Sequence, residues 1–270
     1  MHHPELPDGL PPLSELGYDL LNTTPWQCFF SLLRPFLCVS FYVYFAIMGW
    51  WPLAVLSVLL LFVTIVASAH DLAHQSLALP RWFNDIMLAL IGMLVLESGH
   101  AYRITHMQHH RTFPDHTDDP EGDPAHMTLW RVILEGPIFL FRLWRWAWAR
   151  APRERGWLLL EAGWFFAFVL GSLLLLPQTP IPFVFALLTI GGSWIYPLTT
   201  VYLPHNVQGE NALLQTYTLR GNIIPRLFLE LTYHLEHHLY PAVPSHNYAE
   251  LARRLEPHLR QAGVEPIWVW

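Results

Sequence analysis

Three histidine clusters, each just beyond a long apolar stretch, constrain this chain more than any other feature. They are His70-Asp71-Leu72-Ala73-His74, His106-Met107-Gln108-His109-His110 and His234-Leu235-Glu236-His237-His238. Imidazole is the commonest transition-metal ligand near neutral pH. Residues at i, i+3 and i+4 share one helix face, so His-x-x-x-His aims two rings one way and His-x-x-His-His aims three. Eight convergent rings are too many for one tetrahedral zinc. The pattern predicts a two-metal site assembled from separate helix ends.

The stretches between the clusters say where such a site is built. Of 270 residues, 53% are hydrophobic and only 13% are charged, about half the charged share of a soluble domain. The mean hydropathy is +0.29. These values predict an all-α integral membrane protein. The net charge of −6 excludes a nucleic-acid binder on electrostatic grounds. Cys28 and Cys38 form no paired motif and read as inert thiols.

A span needs about 20 apolar residues. The chain supplies four, over about 29–49, 51–69, 157–176 and 181–203, paired by tight turns at Gly49–Pro52 and Pro177–Pro180. Residues 1–28 read as a polar arm with a short interfacial helix around Pro12 to Leu21, and 29–270 as one membrane domain. His2 and His3 read as solvated. The apolar stretch Phe83 to Ser98 lies between the first two clusters. If both clusters serve one site, this stretch cannot cross the membrane, and it is expected as an interfacial helix. Residues 70–156 and 204–270 then form a cap on one side. The cap segments hold nearly all the arginines and the two turns hold none. The positive-inside rule therefore places the histidines and both termini in the cytoplasm. Arginines and tryptophans interleaved over 128–155 suit the headgroup zone.

His205, where the fourth span emerges, is a ninth candidate ligand, with Asn206 as a water-holding neighbour. Neutral rings around two divalent ions leave a concentrated positive charge beside a low-dielectric wall, which calls for nearby carboxylates. Asp71 comes first, followed by Asp119 and Asp123 in the acidic loop Asp115–Pro124, with Asp118 and Glu236 further candidates. Glu236 is expected on the helix face opposite the ligands. His100 reads either as an outer neighbour of the second cluster or as a packed histidine. Glu161 is expected at the interface near the start of the third span. A zinc membrane hydrolase would show His-Glu-x-x-His, and Asp71 stands where that Glu would be. A metal transporter would place ionisable groups along its spans, which here are nearly free of them. Iron that activates oxygen against an unactivated C–H bond in a lipid-phase substrate fits better.

The three clusters, in this order and with this membrane spacing, resemble the membrane fatty acid desaturase superfamily, which includes acyl desaturases and carotenoid hydroxylases and ketolases. The resemblance covers roughly residues 36–258. It rests on His70-x-x-x-His74, His106-x-x-His109-His110 and His234-x-x-His237-His238, followed by Leu239-Tyr240-Pro241-Ala242-Val243-Pro244, and on the interval from His205 to His234. It implies four transmembrane helices under a cytoplasmic cap that holds two iron ions, with O2 as cosubstrate. Some members carry an Asn four residues before the extra histidine; here that position is Val201. With no fused electron carrier and only two cysteines, electrons are expected from a separate ferredoxin- or cytochrome-type protein. The stretch Tyr233–Pro241 is similar to acyl desaturases, whereas Arg103–His110 leading to Asp119–Pro124 is similar to carotenoid ring hydroxylases. Fatty acyl desaturation is the leading expectation, and a carotenoid hydroxylase or ketolase is the alternative.

Overall fold

The computed structural model describes residues 6, 7 and 9–270, so His2 and His3 lie outside the described residues. Nearly all of the regular structure is helical, as expected. Four helical runs among the described residues are long and apolar enough to cross a membrane, and the protein is a multi-pass membrane protein. Helix α2 (Pro25–Ile47) begins in a capping box. Thr24 Oγ1 accepts from the Gln27 amide at 3.2 Å, and Gln27 Oε1 accepts from the Thr24 amide at 2.8 Å. That box, followed by Pro25, starts the helix four residues ahead of the apolar run. The turn at 48–50 leads into α3 (Trp51–Ala73), whose last turns carry the first cluster. The second pair is α7 (Arg155–Leu175) and α8 (Ile181–Ser193), continued by a π-helical turn over Pro197–Tyr202. Phe41, Leu59, Phe166 and Leu174 are exposed on the outside of this bundle, where lipid replaces water as solvent. Inside it, Tyr42 donates to the Ile181 carbonyl at 2.7 Å and packs on Phe185, joining α2 to α8.

Helices α4 (Arg81–Leu94) and α5 (Gly99–Thr112) meet at a bend of 106°. The stretch expected as an interfacial helix is therefore α4, and the chain turns back at residues 95–98. The bend needs Gly99, because a Cβ there would sit 2.3 Å from the Leu88 carbonyl oxygen. The turn brings the second cluster against the first.

Helix α6 (Leu129–Arg150) exposes Trp130, Ile133, Leu134 and Ile138 in its first half. In its second half Arg150 lies 4.6 Å over the ring of Trp146, a cation–π contact suited to an interfacial helix. The cap is completed by β1 (Leu219–Arg220) paired parallel with β2 (Ile267–Trp268), and by α9 (Ile224–Leu227), α10 (His234–Leu239) and α11 (Tyr248–Gln261). Its core gathers Leu235 and Leu239 with Tyr248, Leu251, Leu255 and Leu259 of α11. The helix expected around Pro12 to Leu21 is instead a short α1 (Leu13–Leu16) followed by a 3-10 turn (Tyr18–Leu21). Both pack into this core through Leu16 and Leu20. Arg254 holds them there, donating to the Leu16 carbonyl at 2.6 Å and to Asp19 Oδ1 at 2.8 Å.

Candidate metal centre

Four chain segments converge. His70 lies in the last turn of α3 and His74 caps its C-terminus. His106, His109 and His110 lie on the inner face of α5. His234, His237 and His238 lie on the six-residue α10. His205 comes just after the π-helical turn, and its Nδ1 bonds the Val201 carbonyl at 2.7 Å. π-turns often mark functional positions, because the widened backbone re-aims the side chains beyond it.

The Nε2 atoms divide the nine rings into two sets. In one, His70 and His237 are 2.9 Å apart, His237 and His110 2.7 Å, His110 and His106 3.3 Å, and His106 and His74 3.1 Å. In the other, His205 stands 2.9 Å from His109, 3.1 Å from His234 and 3.2 Å from His238. Two nitrogens bound at right angles to one ion at about 2.1 Å would be about 3.0 Å apart. The spacings are those of neighbouring ligands around an ion. The sets adjoin, since the ligand atoms of His110, His237 and His238 lie within 4.8 Å of one another.

The chemistry of the rings fits metal in the same way. Asp119 Oδ2 lies 2.7 Å from His109 Nδ1 and Glu121 Oε1 lies 3.1 Å from His106 Nδ1. The Tyr248 hydroxyl lies 2.9 Å from His237 Nδ1. With the Val201 carbonyl on His205, four rings have an acceptor at Nδ1. That arrangement puts the proton on Nδ1 and leaves the Nε2 lone pair facing inward. Burial pushes His106, His110, His205, His237 and His238 well below the usual imidazole range and His234 down to about 3. Neighbouring rings act in the same direction. Only neutral imidazole ligates, and these six rings are pushed toward that form. His109 is different: burial lowers it, but the Asp119 bond and the Asp119 and Glu121 charges outweigh burial and raise it.

The expected carboxylates are distributed differently. Asp119 bonds His109, and its Oδ1 accepts the Gly122 amide at 2.8 Å. A Cβ at Gly122 would meet Asp119 Oδ2 at 2.1 Å, so glycine is what lets the loop close over this carboxylate. Asp71 is buried but stays 4.0 Å from His70 Nδ1. Its Oδ2 accepts from the Ser245 hydroxyl at 2.7 Å and its Oδ1 from the Ser245 amide at 2.9 Å. It ties the end of α3 to the segment after α10 and so acts on the cluster through position. Asp123 pairs with Arg142 of α6. Asn206 lies in the loop beyond His205, where its amide donates to the Leu214 carbonyl at 2.9 Å and its oxygen accepts the Gln208 amide at 3.2 Å. Asp118 accepts from Arg150. Glu236 faces away from the ligands and accepts from Arg220 at 2.6 Å, as its helix position implied.

Sequence reasoning missed Glu121 and Tyr248. Glu121 is two residues from Asp119, and the i, i+2 spacing of two acids in one loop was a usable signal. Tyr248 had none, since it opened a segment that read as a surface helix. Glu161 is fully enclosed rather than interfacial. Its Oε1 lies 2.7 Å from His100 Nδ1, and its Oε2 takes the hydroxyl of Ser98, the residue capping α5. His100 also stacks on Trp157 at 4.6 Å. The pair anchors the N-terminus of the helix that carries the second cluster.

Beside the centre lies an apolar cavity of about 350 Å³ between α3, α6, α7 and α8. Phe141, Phe166 and Trp194 line its exposed side, and Ala101, Leu143 and Glu161 its buried side. Tyr102 forms part of the wall and stacks on His106 at 4.9 Å. Tyr196, also in the wall, donates to Glu121 at 3.2 Å. The cavity thus shares Tyr102 with the histidines and Tyr196 with the Glu121 carboxyl beside them.

A family model described as fatty acid desaturase matches residues 47–270. Dihydrorhizobitoxine desaturase of Bradyrhizobium elkanii is 26% identical over 248 residues, covering 77% of this chain and 66% of the relative. The sn-1 acyl-lipid omega-3 desaturase (ferredoxin) of Nostoc sp. (strain 36) is 21% identical, covering 74% of this chain and 66% of the relative. A chloroplastic omega-3 fatty acid desaturase of Brassica napus is 23% identical, covering 80% and 63%. The chain spans just under two thirds of the length of these relatives.

Proposed function

Because the chain belongs to the fatty acid desaturase family, we propose that it is a membrane oxidoreductase that desaturates a long apolar chain with O2. Two iron ions would be held by the five-histidine set (His70, His74, His106, His110, His237) and the four-histidine set (His109, His205, His234, His238). The observation that carries this reading is the pair of adjoining Nε2 sets beside an apolar cavity that opens among membrane helices. When bound, the irons would supply activation of oxygen against an unactivated C–H bond.

The protein supplies the rest. Asp119 and Glu121 accept the Nδ1 protons of His109 and His106 and so orient both rings. Tyr248 and the Val201 carbonyl orient His237 and His205. The lining of the cavity excludes water, and the exposed Phe141, Phe166 and Trp194 open it sideways to lipid. No protein nucleophile is required. Electrons would come from a separate carrier of ferredoxin or cytochrome type, consistent with a relative whose name specifies ferredoxin. With the arginines gathered in the cap segments, the positive-inside rule puts the metal site and both termini in the cytoplasm.

The relatives' names refer to acyl and dihydrorhizobitoxine desaturation, so an acyl chain leads over a carotenoid ring as substrate. Metal analysis of the detergent-purified protein, then lipid and pigment profiles of an expressing host, tests the reading. About two irons per chain and a new double bond in the lipid pool are expected. His109→Ala and His237→Ala should each abolish the product and lower the iron content. Full activity in either variant, or no metal even after anaerobic reconstitution with ferrous iron, would overturn the assignment.

A further inference from the structure

The cavity is not uniformly apolar. Its lining includes Glu97, Ser98, Glu161 and Ser193 among phenylalanines, leucines and alanines. A carboxyl group facing an apolar space costs several kcal/mol unless it is bonded, and a plain hydrocarbon chain offers it nothing. Glu161 is accounted for: both of its oxygens are taken, by His100 and Ser98. Glu97 is not. It sits on the bend between α4 and α5, and its side chain bonds Ser193 on α8. The Ser193 hydroxyl also bonds the Thr189 carbonyl at 2.9 Å. One hydroxyl proton serves one acceptor. Both contacts are satisfied when a protonated Glu97 donates to Ser193 Oγ and Ser193 donates to Thr189. The second carboxyl oxygen of Glu97 is then an acceptor on the cavity wall.

From this geometry we infer that the cavity takes a chain bearing a hydrogen-bond donor, a hydroxyl or an amine, and that Glu97, positioned by Ser193, receives it. The inference rests on reading the cavity as the substrate site of the oxidative centre. It refines that reading from any long chain to one with a polar group carried inside the apolar space. The neutral acid suits a hydroxyl; an ammonium group would be met by the ionised acid, with the Ser193 hydroxyl then turning its proton from the Thr189 carbonyl to Glu97. Glu97 is here a binding residue that sets specificity and touches no metal ligand.

The test reads binding without iron or turnover. Trp144 and Trp194 line the cavity, so bromine carried into it quenches tryptophan fluorescence. The purified full-length protein is titrated in one detergent with bromododecanol, bromododecylamine and bromododecane. Wild type should bind the alcohol and the amine about 10-fold more tightly than the donor-free chain, the size of one net hydrogen bond. In Glu97→Leu that ratio should fall to about one, with the donor-free chain bound at least as well as before. The partitioning of each probe into protein-free micelles is measured and divided out of its apparent affinity, and any residue cancels between wild type and variant because all proteins share the same micelles. Glu97→Gln, which keeps the size and the carbonyl acceptor, guards against a Leu variant that does not fold: it should keep the alcohol preference and lose the amine preference. Equal binding of alcohol and donor-free chain by wild type, an unchanged ratio in Glu97→Leu, or an undiminished amine preference in Glu97→Gln would overturn the inference. A donor preference without oxidation of any chain by iron-loaded protein would remove the desaturase reading and leave the assignment of the cavity standing.

Discussion

Replacing Asp119 by Asn should loosen one metal and leave the other in place. The Asp119 carboxylate is almost wholly enclosed and has two fixed partners, His109 Nδ1 at 2.7 Å and the Gly122 amide at 2.8 Å. Both partners are donors. An asparagine amide has one acceptor oxygen, so one donor must then face the amide NH2. If the oxygen stays on Gly122, the NH2 faces His109 Nδ1, the ring proton moves to Nε2, and the lone pair that would reach the ion is lost. If it stays on His109, the NH2 is pressed against the Gly122 amide. A buried polar group left unpaired costs about 1–3 kcal/mol, and outer carboxylate partners of metal ligands are worth about 10–100-fold in affinity. These ranges agree, because about 1.4 kcal/mol is tenfold. Among the described residues, the Asp119 side chain bonds His109 and Gly122 and no member of the five-histidine set. The assay is metal retention against a graded chelator, with iron counted per chain and a melting curve to verify the fold. One iron should leave at a chelator concentration about 10–100-fold below that needed to remove it from wild type, and the other at its wild-type concentration. Loss of both irons together at the wild-type concentration would refute the argument that Asp119 acts on the four-histidine set through His109.

The scaffold supports three further predictions. Gly99→Ala drives a methyl group into the Leu88 carbonyl; because that contact is backbone, no rotamer relieves it, and a loss of about 1–3 kcal/mol is expected, read as a lower melting temperature together with lower iron content. Glu161→Gln leaves one acceptor oxygen where His100 and Ser98 now have two and should destabilise by about 1–3 kcal/mol, with hydrogen exchange rising first at the start of α5; unchanged exchange there would count against its anchoring role. The packing of α1 should depend on acid: Arg253 and Arg254 hold the Glu250 carboxyl at about 2, and Arg254 also lowers Asp19. A depressed carboxylate stabilises the folded form above its ordinary range, and the contribution is lost as pH falls from about 4 toward about 2. Proteolysis of the segment before α2 should therefore speed up near pH 3, and Arg254→Leu should show the same susceptibility near pH 6.

The sequence alone determined the membrane class, the four spans and the rings that meet. Apolar run length against bilayer thickness is a local property, and so is the helical spacing that puts His106, His109 and His110 on one face. The stretch between His74 and His106 could be read as a return, because two clusters serving one site must lie on the same side. Only the tertiary structure decided which ring belongs to which set, since the 106° bend at Gly99 and the π-turn before His205 fix ring directions that no spacing encodes. It also decided which carboxylate serves which histidine. Asp119, Glu121 and Asp123 alternate along one loop and look equivalent in the chain, yet two turn in to His109 and His106 while the third turns out to Arg142. Asp71, adjacent to His70 in sequence, binds Ser245 because its side chain leaves the helix about 100° away from that of His70. Neighbours along the chain are set by covalent geometry, whereas partners in a buried histidine cluster are set by how separate helices pack, and the acids that serve it become apparent only after that packing.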